Sequence, residues 1–446
     1  MASAARAALA PAFTAAATIR RLMNPDPDTQ VLTLPNGVRL LMLPMPQRET
    51  ASVSVFVRTG SQHESRRLNG ISHVVEHMAF KGTVGRDCQR INLDAERLGA
   101  EVNAHTDKDH TAFHIDGRAR DAGSFVQMLG DIVLASTFPE AELERERQVI
   151  LHELTEDEDD AMSTAFKLFD QACYGEHPVA QPVIGKRANI ARFTRDDLLS
   201  YVKSQYTAGN VIVGVAGGFD ADHIARQVEA AFGGMPAGSD NTVAAPEFRG
   251  GLKLRRLAGY AQTHAVLGFA VPSAASDPEA HVVAAALFGE GMSSPLLDQL
   301  RERRGLAYYA ACSADVSALC GQFVVEASTS PAQAEELLLE VMRLLTEHAG
   351  HIDPVALERA RNQLAVRSLR DAERPTRSLE TAVLDLYAQG HLRSAAERLA
   401  RIEAVTSEQV RAAFAGMLAT GGAVALAGKL GPGLHERVGA LVAPRH

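Results

Sequence analysis

The chain has no tryptophan and only four cysteines in 446 residues, Cys88, Cys173, Cys312 and Cys320. None stands in CxxC spacing, so there is no sign of a disulfide scaffold or a thiolate metal site. Basic residues (45 Lys+Arg) are outnumbered by acidic ones (54 Asp+Glu), a net charge of -9. That balance supplies no bulk attraction for nucleic acid, and no such partner is expected. No apolar run approaches the roughly 18 residues that a membrane helix needs, so no membrane span is expected either. A phosphate-cradling loop is missing too: Gly82, Gly217-Gly218 and Gly233-Gly-Met-Pro236 read as turns. What is present is ordinary globular composition, 46% hydrophobic and 22% charged. It suits two to four domains at roughly 150 residues each.

Residues 1–27 read as a leader or a disordered tail. Residues 1–22 are rich in alanine, carry Arg6, Arg20 and Arg21, and precede the first acid, Asp26. A cytoplasmic location is expected, or a periplasmic or organellar one if residues 1–22 act as a leader. The Pro- and Gly-bearing stretch 236–251 reads as a linker between residues 28–235 and 252–446. The two parts look related. His73-Val-Val-Glu-His-Met-Ala-Phe80 resembles His281-Val-Val-Ala-Ala-Ala-Leu-Phe288, and 138–147 resembles 352–361, in the same order. This pattern points to an internal duplication.

Within each part, strand-like and helix-like periods interleave. Segments 53–57, 101–106 and 209–216 are strand-like. Segments 122–135, 139–156, 333–348 and 354–370 have helical apolar spacing, with Pro139 suited to a first helical turn. No regular βαβ rhythm appears, which favours an α+β architecture over a Rossmann sheet.

The chemistry centres on His73-Val-Val-Glu-His77. On a helix, His73 and His77 stand one turn apart and can share one cation. Zn²⁺ suits such N/O ligands with a vacant fourth position. Glu76 falls on the same face, within reach of a water there, in the order opposite to HExxH. A third ligand is sought on the helix that starts at Pro139. Its apolar stripe runs through Leu143, Ile150 and Leu154, and Glu146 and Glu153 interrupt that inward face. A buried carboxylate needs a partner, either a cation on the His helix or a buried arginine. In the second part, the places of Glu76, His77, Glu146 and Glu153 are taken by Ala284, Ala285, Ala360 and Arg367, and only His281 remains. His152 points about 100° away from Glu153 on a helix and ranks below it as a ligand. His105, His110 and His114 read as surface groups or as supports behind the ligands. The acidic run 156–160 reads as a solvated face.

From about residue 30 to its end, the sequence resembles the insulinase/pitrilysin metallopeptidases, in particular the compact type similar to the mitochondrial processing peptidase β-subunit. The resemblance rests on segments 70–83, 99–106, 144–153 and 300–308, which come in the family order. It implies a duplicated LuxS/MPP-like metallohydrolase fold whose two α/β-layered halves form a clamshell, with 28–235 as the catalytic domain and 252–446 as a substrate-binding domain without metal. By this resemblance His73, His77 and Glu153 are Zn²⁺ ligands, Glu76 is the general base and Glu146 is an accessory catalytic glutamate. Asn103 lies on the edge strand where substrate extends, and Arg301 and Tyr308 bind substrate. One chain carries both the zinc motif and the Arg/Tyr pair, which implies a self-sufficient zinc endopeptidase acting on peptides or unfolded segments, as a homodimer. The other readings are a heterodimer with a paralogous chain, a partner-dependent subunit, and a non-catalytic core or scaffold subunit. Two departures stand out. Pro295 occupies the place of a usual arginine in Met292-Ser-Ser-Pro-Leu296, and only Gly289-Glu-Gly291 stands where the processing peptidase α-subunit has a long Gly-rich loop.

Overall fold

A computed structural model describes residues 20–21 and 29–442 of the chain. The expected leader at 1–27 therefore falls, apart from residues 20–21, outside the described residues. The first sheet has seven strands: β1 (Arg20–Arg21), β2 (Gln30–Thr33), β3 (Arg39–Pro44), β4 (Thr50–Val57), β5 (Glu101–Thr106), β6 (Thr111–Arg118) and β7 (Val211–Gly217). Their order is β1-β2-β3-β7-β4-β6-β5. The second sheet has β8 (Gly251–Arg256), β9 (Thr263–Val271), β10 (Tyr309–Val316), β11 (Gly321–Thr329) and β12 (Ala423–Gly428), ordered β10-β11-β9-β12-β8.

The two sheets repeat one plan. In each, a single parallel pair (β3 with β7, β8 with β12) adjoins antiparallel neighbours. The edge strands β5 and β10 occupy matching places. This is the α+β fold of two similar halves that the duplicated sequence segments imply.

Helices cover both sheets. The first half supplies α1 (Ile71–Ala79), α2 (Cys88–Arg97), α3 (Ala122–Leu134), α4 (Glu140–Asp159) and α5 (Ala161–Tyr174). Helices α1, α3 and α4 share one core with one face of the first sheet, through Val74, Val75, Phe125, Leu129 and Ile150 against Val53, Val55 and Phe113. The other face is covered from the distant half. Leu379, Val383 and Leu386 of helix Pro375–Gln389 pack on Leu41, Phe56 and Ile212. The exchange is reciprocal: Ala165, Phe169 and Ala172 of α5 pack on Val266, Val324 and Ala425 of the second sheet. Each half thus buries a sheet face with a helix of the other half, which ties the two together through apolar area.

Local chemistry accounts for several boundaries. Asp160 ends α4 and caps α5 by accepting from Met162 N at 2.9 Å. Pro295 opens the short helix Pro295–Leu297, where a missing N–H needs no partner, and Ser294 caps it. No described helix is long and apolar enough to cross a membrane.

Candidate metal centre and its surroundings

Helix α1 begins at Gly70, whose φ of +102° suits glycine alone. A Cβ there would also stand 2.8 Å from the Cα of Gly185. The start of the helix is held by Glu64, which is 2% exposed. Its carboxylate accepts from Gly70 N (2.8 Å), Ser72 N (2.8 Å) and Asn69 Nδ2 (3.0 Å). These bonds satisfy N–H groups that a helix start otherwise leaves without partners. Burial nonetheless pushes the Glu64 carboxyl up from its ordinary pKa, against the pull of those donors.

Ile71, Val74, Val75 and Met78 turn into the core. The 3.6-residue repeat therefore leaves His73, Glu76 and His77 together on the opposite, half-buried side. His73 Nε2 and His77 Nε2 are 3.2 Å apart. Glu153 Oε2, from α4, lies 3.4 Å from His77 Nε2 and 3.8 Å from His73 Nε2. With Zn–N bonds of about 2.0–2.1 Å, two ligands of a tetrahedral ion stand about 3.4 Å apart. Two imidazoles and one carboxylate at these separations fit a zinc-class cation with one position left open. Burial pushes the His73 imidazole down to about 4, so it is neutral near pH 7 and has a free lone pair for a metal.

Supporting groups surround the three donors. Glu146, 8% exposed, lies within the α4 stripe of Leu143, Ile150 and Leu154. Its Oε2 meets His77 Nδ1 at 3.1 Å and its Oε1 meets Lys81 Nζ at 2.6 Å. The carboxylate thereby sets the tautomer of His77, with Nε2 bare toward Glu153 and His73. Thr106, the last residue of β5, donates its hydroxyl to Glu76 Oε2 at 2.6 Å. Burial, first among the causes, raises the Glu76 carboxyl above its usual pKa, while the Thr106 hydrogen bond opposes the rise.

Several expectations need correction. Glu146 meets His77 and Lys81, so of the two partners weighed for it the arginine is not the one the structure gives. Glu153 is not buried: its side chain is 39% exposed, although the next residue, Leu154, is in the core. His110 is not a surface group but 2% exposed. The acidic run is only partly a solvated face, since Asp157 takes Ser163 and Lys167 as partners. His152 does point outward, toward Glu156.

The remaining candidate residues lie apart. Asn103 is exposed on the edge strand β5, where its Oδ1 accepts from Ala104 N. Arg301 sits in a π-helical turn, Asp298–Arg303, with its guanidinium 5.1 Å from the centre of the Tyr308 ring. Among the described residues, no hydrogen bond or ion pair joins Arg301 or Tyr308 to His73, His77 or Glu153. In the second half, Ala360 is buried and Arg367 pairs with Glu290 at 3.2 Å, so no donor set forms there from these positions. Glu64, Lys81 and Thr106 escape a reading of the sequence, since each acts across a turn or a strand gap that no local period marks.

Comparison with known proteins gives a consistent picture. Residues 39–187 match the family model "Insulinase (Peptidase family M16)", and residues 192–364 match "Peptidase M16 inactive domain". An uncharacterized zinc protease of Mycobacterium tuberculosis is 31% identical over 394 residues, covering 85% of this chain and 88% of that one. The mitochondrial-processing peptidase subunit beta of Caenorhabditis elegans is 29% identical over 403 residues, 86% of each chain. A protease from Helicobacter pylori superposes with a TM-score of 0.83 at 21% identity, over 90% of this chain and all of that one. With matching models in both halves and relatives similar over most of its length, the chain belongs to the insulinase family of peptidases, family M16.

Proposed function

We propose that the protein is a zinc-dependent endopeptidase that hydrolyses peptides or unfolded segments. The observation that carries this reading is the convergence of His73, His77 and Glu153 with Glu76 on the same helix face. His73, His77 and Glu153 hold the ion, and Glu146 orients His77. Zinc held there supplies Lewis acidity, which makes a water nucleophilic at neutral pH and polarises a peptide carbonyl. Glu76 takes the proton of the attacking water and returns it to the leaving amine. Thr106 keeps that carboxylate aimed. Substrate extends along the free edge of β5 beside Asn103, where main-chain hydrogen bonds tolerate varied sequence. Arg301 and Tyr308 hold the peptide from the other half.

On this reading residues 28–235 form the catalytic domain, 236–251 the linker and 252–446 the substrate-holding domain. The enzyme acts in the cytoplasm as a homodimer that needs no paralogous chain. The test is digestion of an unstructured peptide mixture by the purified, zinc-analysed protein, with cut sites mapped by mass spectrometry. Zinc-dependent cleavage that a chelator abolishes is expected. Bound zinc without cleavage would point to a required partner, and neither zinc nor cleavage to a scaffold role.

A further inference from the structure

The turn that joins β5 to β6 carries a second group of metal donors on residues that the peptidase reading leaves unused. His105 Nε2 and His110 Nε2 face each other at 3.3 Å. Asp107 Oδ2 lies 4.0 Å from His110 Nε2, and the three donors lie within 4.8 Å of one another. In the first triad the separations are 3.2, 3.4 and 3.8 Å. The likeness extends to the next layer. Asp109 Oδ1 meets His110 Nδ1 at 2.7 Å, as Glu146 meets His77 Nδ1 at 3.1 Å. In both cases a carboxylate holds the Nδ1 proton and leaves the Nε2 lone pair directed at the other donors.

We infer that His105, His110 and Asp107 form a second site for a zinc-class divalent cation, separate from the His73 site. Two imidazoles and one carboxylate select Zn²⁺, Co²⁺ or Ni²⁺ over the hard, oxygen-seeking cations. Glu380, on helix Pro375–Gln389 of the second half, is close enough to act electrostatically on both imidazoles and adds negative charge at the site. An entry path exists: Asp107, Asp109, His110 and Glu380 line a cavity of about 460 Å³ between the halves. With His110 protonated at Nδ1, His105 is the donor in the Nε2–Nε2 contact, and a cation bound at His105 Nε2 would require that proton to move to His105 Nδ1. Thr106 stands between His105 and Asp107, so an ion there braces the strand end that holds Glu76.

The experiment measures metal content. The full chain is stripped with a chelator, dialysed against Co²⁺ or Zn²⁺, and its metal counted per chain by mass spectrometry. Two equivalents are expected in the unmodified protein. His105→Asn and Asp107→Asn, each checked for native circular dichroism, should bind one. A His73→Ala/His77→Ala variant should also bind one, and with Co²⁺ that remaining ion should show visible absorption from imidazole ligands. An unchanged metal count in His105→Asn and Asp107→Asn, or loss of all bound metal from the His73→Ala/His77→Ala variant, overturns the inference. Failure of the His73/His77 variant to lose an ion would count against the catalytic site alone, because the His105 and Asp107 variants read the second site independently.

Discussion

Glu146 Oε2 lies 3.1 Å from Nδ1 of His77, on the side of the ring remote from His73 and Glu153. One carboxylate thus holds a helix-borne imidazole in the tautomer and orientation that a metal requires. Glu146→Gln should weaken zinc affinity by about 10- to 100-fold, the usual effect of losing such a support. Competition against a chromophoric chelator measures it, and unchanged affinity would remove Glu146 from this role.

Glu76 is the group assigned to move protons. Glu76→Gln should keep its full zinc content and lose turnover by about 10²- to 10⁴-fold. Undiminished peptide cleavage by the zinc-loaded variant would refute the assignment.

Glu64 acts on the fold beneath the site. Glu64→Gln replaces an acceptor with an amide that presents its own N–H groups to the donors at the start of α1. A loss of about 1–3 kcal/mol in unfolding free energy is expected, read as a lower urea midpoint. An unchanged midpoint would show that the cap contributes nothing.

Arg301 and Tyr308 stack on each other at the far half, away from the donors. Arg301→Ala should raise KM about 10-fold, the scale of one lost charged hydrogen bond, while zinc content stays at the level of the unmodified protein. Loss of metal in this variant would contradict a substrate-holding role.

The segment that carries Arg301 is anchored by Glu340, 4% exposed, which pairs with Arg304 and with Arg343. Hydrogen bonding to Arg343 holds the Glu340 carboxyl below its ordinary value of 4.5. A depressed carboxyl stabilises the fold above its unfolded pKa, and that contribution disappears as pH falls through the folded pKa. Glu340→Gln should therefore cost about 1–2 kcal/mol at neutral pH. The gap should close as pH drops below 4.5, in denaturation curves taken across that range. A gap that is constant with pH would assign the loss to packing.

Local periodicity is enough to place most of the secondary elements and to put His73 and His77 on one helix face. The strand read at 101–106 is β5 to the residue, and the segments read as helices at 122–135 and 354–370 are helices Ala122–Leu134 and Pro354–Ala372. Those features follow from periods of 2 and 3.6 residues, which act between near neighbours and are written in the chain order. Glu146 was legible for the same reason, as a carboxylate interrupting an apolar stripe.

Other features arise only from long-range packing. Strand β4 alternates serine with apolar residues, yet Ser52 and Ser54 are both buried, because a helix more than 300 residues onward covers their face. The burial of Glu64 at the start of α1, the reach of a half-exposed Glu153 to two imidazoles, and the meeting of His105 with His110 across a strand turn are of the same kind. Each depends on where separately formed elements come to rest against one another. Side-chain contacts made across that packing leave no periodic trace in the order of residues.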